Sequence, residues 1–193
     1  PVNGNTSLDV GDLNNDGWPD IITLNSKGWL HGQDQGNIVR IFWGSAEGYF
    51  LAKYQDIGVP GGIEVVAGRF GPERDLTAAV VTSTGLVYFL APRTGGALHV
   101  GRIISLPTTA SPGGAAIKPT CIVLEPSTGV AGDLLWIGTD SSALLRVTAS
   151  GQDDVKIFQA KPATHLAVGM IDKDKFPDLV LTKLELVYPL DPT

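Results

Sequence analysis

The stretch LDVGDLNNDGWPDIITLN at residues 8–25 returns near the other end of the chain as LAVGMIDKDKFPDLVLTK at residues 166–183. Val10-Gly11 falls on Val168-Gly169 and Pro19-Asp20 on Pro177-Asp178. Two weaker copies lie between them. VVAGRFGPERDLTAAVVT, from Val65, keeps Ala67-Gly68 and the Asp75-Leu76 pair with a shortened loop, and CIVLEPSTGVAGDLLWIG, from Cys121, keeps Asp133-Leu134-Leu135. The aspartates at 20, 75, 133 and 178 are separated by 55, 58 and 45 residues. A repeat of this period restricts the fold severely, because one such unit cannot bury both of its faces and must stack against its neighbours.

The content of each unit is β. Helical periodicity is absent, whereas short β-branched and aromatic runs recur, such as Ile38-Val39-Arg40-Ile41-Phe42-Trp43, Leu86-Val87-Tyr88-Phe89-Leu90 and Leu134-Leu135-Trp136-Ile137. Turn chemistry separates them at Ser26-Lys27-Gly28, Ser83-Thr84-Gly85 and Asp140-Ser141-Ser142. The 24 glycines and 13 prolines are scattered along the chain, as many short elements joined by turns require. Four strands in about 40 to 50 residues is the spacing of a propeller blade. The expectation is an all-β β-propeller of four-stranded antiparallel blades, with about four blades in this chain at 5–57, 61–106, 118–158 and 164–190. These form one domain or part of a larger propeller. The last unit runs out after its third strand, which leaves three sources for an outer strand: the N-terminal residues, a neighbouring chain, or further sequence. The chain begins Pro-Val-Asn-Gly-Asn, which reads as a removed leader or an excised portion of something longer.

The first repeat carries the chemistry. GDLNNDGWPD, residues 11–20, places three aspartates and two asparagines directly before the apolar run Ile21-Ile22-Thr23-Leu24. Asp12, Asn14, Asp16 and Asp20 occupy relative positions 1, 3, 5 and 9, and Gly17 follows the third. A hard cation such as Ca2+ takes six to eight oxygen ligands at roughly 2.3 to 2.6 Å. Alternate positions of a tight loop turn inward, Gly17 permits the bend, and the position-7 ligand is the backbone carbonyl of Trp18. Two carboxylates ~5 Å apart at an effective dielectric of 20 repel by about 3 kcal/mol, so closing this loop favours an ion. A plain polar turn around Asn15-Asp16-Gly17 is the alternative. An EF-hand is excluded on two counts, because Thr23 stands at position 12 in place of a bidentate Glu and no helix follows.

The motif Asp12-x-Asn14-x-Asp16-Gly17-x-x-Asp20, preceded by Asp9-Val10-Gly11 and followed by Ile21-Ile22, resembles the FG-GAP (VCBS-type) repeat of integrin α subunits and of many secreted or surface-exposed bacterial proteins. The resemblance is strong over 8–25 and fair over 166–183; between them it is carried mainly by spacing. It implies a propeller with calcium sites in the hairpin loops between the first two strands of certain blades, an extracellular, cell-surface or periplasmic setting, and a role in recognition, adhesion or scaffolding. In the fourth unit Met170 replaces the first acidic ligand and Lys175 the glycine, leaving Asp172, Asp174, the Phe176 carbonyl and Asp178 as a weaker second site. The second unit offers Arg69 and Arg74 to neutralise its acids internally and the third has no ligand series, so both read as metal-free.

Charge and composition exclude several partners. A formal net charge of -6 argues against nucleic acid and anionic membrane surfaces, since each needs a basic face. The apolar stretch Leu76–Pro92 is interrupted by Thr77 and Thr82-Ser83-Thr84-Gly85 and is too short to span a bilayer; it reads as two strands around a turn. Cys121 has no partner for an intramolecular disulfide and reads as a small buried hydrophobe. His31, His99 and His165 are isolated, and no nucleophile elbow, phosphate loop or dinucleotide fingerprint is present, so an enzyme is not expected. Trp29, in the polar segment around Lys27–Asp34, is the best candidate for an exposed ligand-binding aromatic, and Asn5-Thr6-Ser7 fits a glycosylation acceptor. The sequence therefore points to a non-enzymatic, calcium-stabilised propeller that binds a protein partner or self-assembles through its incomplete last blade. A glycan-binding lectin and an accessory domain of a secreted enzyme are the alternatives.

Overall fold

The computed structural model describes residues 5–30, 33–109, 116–127, 129, 132–150, 154–172 and 177–183, with side chains at all of these except 5–6, 26–30 and 33–36. All regular structure among them is β. Strands β1 (Asn5–Gly11), β2 (Asp20–Leu30), β3 (Gln33–Phe42) and β4 (Tyr54–Gly58) form one antiparallel sheet in chain order. Strands β5 (Gly62–Phe70), β6 (Leu76–Thr82), β7 (Leu86–Pro92) and β8 (Leu98–Ser105) form a second. The third contains β9 (Pro119–Glu125), β10 (Leu134–Thr139), β11 (Ala143–Val147) and β12 (Val155–Gln159), and a two-stranded sheet of β13 (His165–Gly169) and β14 (Asp178–Thr182) follows. The four-stranded sheets are propeller blades: each is an up-and-down meander, as consecutive strands joined by short turns dictate.

The blades stack in sequence through their first strands, β1 on β5, β5 on β9 and β9 on β13. Alternation along each strand sends one set of side chains to each seam. Between the first two blades, Leu13, Ile22, Leu24, Val39 and Ile41 pack on Val65, Ala78, Val80 and Leu90. Between the second and third, Phe70, Ala79, Val81 and Phe89 pack on Ile122, Leu135, Ile137 and Leu145, with Phe70 and Phe89 in an edge contact at 5.1 Å between centroids. The middle strand β6 is buried along its whole length, because a blade with neighbours on both sides has no solvent face there.

Polar groups stitch the inner strands together. The Asp9 Oδ2 accepts the Ala67 N–H at 2.8 Å, and the Glu64 Oε2 accepts the Ile122 N–H at 2.6 Å. In each case an acidic side chain of one blade satisfies a backbone donor on the first strand of the next. Burial raises the Glu64 carboxyl above its ordinary range, against the opposing pull of the Ile122 bond and of His165. Cys121 is buried and free, as its apolar setting suggested, and burial pushes its thiol up. Its sulfur lies beside Gly138, where a Cβ would also meet Leu166 of the two-stranded sheet.

Candidate functional site

The loop joining β1 to β2 is folded by its own acids. The Asp12 carboxylate accepts the N–H groups of Asp16 and Gly17, both at 3.1 Å. Asn14 Oδ1 also accepts from Asp16 at 3.1 Å, and Asp16 Oδ1 accepts from Trp18 at 2.9 Å. Such side-chain-to-backbone bonds are what Asx residues offer a turn. The chain bends through left-handed conformations at Asn15 (φ 63°) and Gly17 (φ 91°). Leu13 is buried in the seam against the second blade and anchors the loop there.

Asp20 is fully buried at the start of β2. Its Oδ2 accepts the Leu13 N–H and its Oδ1 the Gly44 N–H, both at 2.8 Å, so one carboxylate closes the loop on one side and ties it to the end of β3 on the other. Desolvation raises its pKa, the two backbone bonds oppose that rise, and the charges on Asp16 and Asp12 add to it. Tyr49 donates to the Pro19 carbonyl at 2.8 Å and covers the same corner.

The donor set of the loop is all oxygen and fits a hard cation. Asp12 and Asn14 are half-buried and Asp16 is exposed, and Asn14 Nδ2 donates to Asp16 Oδ2 at 2.8 Å. Among the described residues, no three His, Cys, Asp or Glu side chains converge as a ready-made metal shell. Asp12 and Asp20 alike have both oxygens on backbone donors, and Asp20, the fully buried one of the two, is the loop's anchor.

The fourth unit repeats the anchor. Asp178 Oδ2 accepts the N–H groups of Ile171 at 2.8 Å and Asp172 at 3.2 Å, the counterpart of Asp20 and Leu13. Asp174 and Phe176 lie outside the described residues, as does the side chain of Trp29, whose backbone pairs with Asp34 near the end of the β2–β3 hairpin. Of the histidines, His99 is satisfied by the Ala91 carbonyl at 2.8 Å and His165 lies 3.2 Å from the Thr164 hydroxyl.

The arginines of the second unit do something its sequence did not suggest. They reach outward to neighbouring blades and not to Glu73 and Asp75. Arg69 Nη2 donates to the Asp12 carbonyl at 2.6 Å, clamping the acidic loop of the first blade. Arg74 Nη2 donates to the carbonyls of Ser127 and Gly129 in the third blade, at 2.5 and 3.3 Å. Backbone carbonyls attract a guanidinium strongly when water is excluded. No local pattern could have shown this, because Arg69 and Asp12 are 57 residues apart and meet only when the blades stack.

No family model and no curated protein sequence matches this chain. Among solved structures it is similar to the crystal structure of BBS1N in complex with ARL6DN, soaked with lead, with a TM-score of 0.57 and 15% sequence identity. The match covers 86% of this chain and 48% of the other, so the chain spans about half the length of its structural neighbour. The likeness is one of fold, and it agrees with the stacked antiparallel blades: this is a β-propeller architecture.

Proposed function

We propose that this chain is a non-enzymatic interaction module, a run of propeller blades that holds another protein, with a calcium ion organising the loop of its first blade. The observation that carries the protein-binding part is the structural neighbour, a domain of the same architecture crystallised in complex with ARL6DN. Rigid stacked blades with loops at their edges suit such a role, since binding residues are best placed on loops held by a scaffold.

The calcium part rests on residues 12–20 and on the FG-GAP resemblance they carry. Asp12, Asn14 and Asp16 would hold the ion, Trp18 would offer its carbonyl, and Asp20 would support the loop from below. The ion would supply charge neutralisation and rigidity to the loop, not chemistry. A site of exposed and half-buried side chains in a single loop suits a compartment rich in calcium, which favours an extracellular, cell-surface or periplasmic setting.

Two measurements test the reading. Calorimetric titration with calcium alone should show one saturable site that Asp16→Ala removes; heat absent from both proteins overturns the metal. In-cell cross-linking of the whole protein should give reproducible links from the loop residues of the first two blades to one protein partner. Links confined to this chain overturn the recognition role.

A further inference from the structure

We infer that the bare face of the first blade docks a second copy of this chain, seated through the outward face of the β13–β14 sheet. Blade-to-blade register defines the first of these faces. Ala67, Ala78, Leu90 and Val100 form one row across the second blade, and all four lie in the seam against the first. The corresponding row of the first blade is Val10, Ile21, Phe42 and Tyr54. No blade among the described residues covers it: Val10 and Tyr54 are 49% and 47% exposed, and Leu8, two residues back along β1, is 57% exposed. An apolar row across all four strands is what a neighbouring blade buries elsewhere in this array, and left in the open it marks an interaction surface.

Polar groups select the occupant. At the first two seams the preceding blade supplies an acid to a backbone donor of the next, Asp9 to Ala67 and Glu64 to Ile122. At Val10 that donor is already taken, because its N–H goes to the Asp9 carboxylate beside it at 2.8 Å. The face therefore suits a sheet that brings no free carboxylate. The outward face of the β13–β14 sheet meets that condition. Exposed Ala167 stands there opposite exposed Val180, with His165 opposite Thr182 as the next pair, and Asp178 turns its carboxylate to the Ile171 and Asp172 N–H groups. Arg40, in the row beside Val10 and Tyr54, carries no unpaired charge into the contact. Its Nε and Nη2 both donate to Asp56 at 2.7 Å, and its guanidinium lies 4.0 Å over the Tyr54 ring.

A contact between two different faces is heterologous, and it makes a closed ring when the rotation returns to its start. Two copies bring eight of the described sheets, at the upper end of the roughly 4 to 8 blades of closed propellers. The match to 48% of the structural neighbour makes two copies about as long as that chain. In such a pair each copy covers both bare faces of the other, through two equal seams.

The test is sedimentation equilibrium of the intact chain in chelator, and a dimer is expected. Val10→Lys and Val180→Lys each place a lysine on one of the two faces, at positions already exposed in the single chain. Both should keep the parent's far-ultraviolet spectrum and weaken dimerisation at least about tenfold, as burying an unpaired charge requires. Mixing the two variants should restore association, because one seam of the mixed pair is then unaltered on both sides. Ile103→Lys, at a residue 51% exposed on β8 and outside both faces, should dimerise as the parent does. A parent chain still monomeric at about 0.1 mM overturns the inference, as does a dimer that Val10→Lys leaves intact or that Ile103→Lys also dissolves. A dimer lost in Val10→Lys and kept in Val180→Lys overturns it too, since two first blades would then be paired. Neither calcium nor another protein enters the measurement, so a negative result leaves the proposed function standing.

Discussion

Asp133 holds the backbone of Arg69 from both sides: its Oδ2 accepts the Arg69 N–H and its own N–H donates to the Arg69 carbonyl, each at 2.7 Å. The Asp133 Oδ1 also accepts the Ser127 N–H at 2.9 Å. With Arg69 reaching forward to Asp12, a single residue of the second blade thus bonds to both neighbours. Removing the carboxylate in Asp133→Ala leaves two backbone donors without acceptors, each costing about 1–3 kcal/mol where water cannot replace them. We expect a loss of about 2–4 kcal/mol, read as a lower urea midpoint at unchanged slope, with Asp133→Asn losing about half as much.

The two acids of the first loop should separate by burial. Asp20→Ala orphans the Leu13 and Gly44 donors and should cost about 2–4 kcal/mol in chelator. Asp16→Ala acts on an exposed side chain and should stay within about 0.5 kcal/mol under the same conditions. Denaturant titration of the pair measures the contrast; equal losses would mean that Asp20 is no more an anchor than its neighbours.

Calcium should make the loss of Asp16 costly. At a hundred times its dissociation constant a bound ion adds about 2.7 kcal/mol, which for a chain of this size raises Tm by roughly 5–10 °C. Thermal scans with calcium and with chelator should show that rise in the parent chain and none in Asp16→Ala.

Acid pH gives an independent view of Asp20. Its folded pKa lies above the ordinary 3.8, mainly because burial disfavours the charged form. Between 3.8 and the folded value the native chain binds more protons than the unfolded one, so this group's contribution to stability rises as pH falls through that window. Above the folded value the cost of the buried charge is fully present. The carbon-detected titration of the Asp20 carboxyl should therefore have its midpoint above 3.8, and the stability difference between the parent chain and Asp20→Asn should vary across that window alone.

Gly132 offers a steric test of the seam between the second and third blades. It has φ +72°, and a Cβ there would lie 2.5 Å from the Arg69 carbonyl and 2.7 Å from that of Gly71. Gly132 also forms a bridge with Phe70. Gly132→Ala combines a left-handed residue with a backbone collision and should lose at least about 2 kcal/mol, measured by the same denaturant midpoint.

The sequence made the blade architecture legible because strands of alternating burial and turns of Gly, Asp and Asn are local features. The two strands around Ser83–Gly85 are found as β6 and β7 for that reason. Register across the third unit was not legible. The overlay of Cys121 on Val65 places both on the same face, yet Val65 points to the blade before it and Cys121 toward Gly138 and Leu166, while Ile122 fills the earlier seam. The overlay was anchored on Asp133, whose carboxylate serves Arg69 of the preceding blade as well as Ser127 of its own, whereas Asp20 serves Leu13 and Gly44 of its own. A shared letter does not by itself fix the frame of the strand before it, and in a strand one residue reverses every side chain. The Arg69–Asp12 clamp was illegible for a related reason: its two ends come from different blades.

The stacking has one more implication. On β1, Leu8 and Val10 face away from the second blade and are 57% and 49% exposed, and Ala167 and Val180 form the outward face of the two-stranded sheet. Each sheet completes its own strand ladder, and its neighbours supply side-chain cover and a few bonds to its first strand. Growth by duplication or loss of whole units therefore changes how much greasy surface the outer sheets of an array show while leaving the ladder of each unit intact, and natural selection can set the length of such an array one unit at a time.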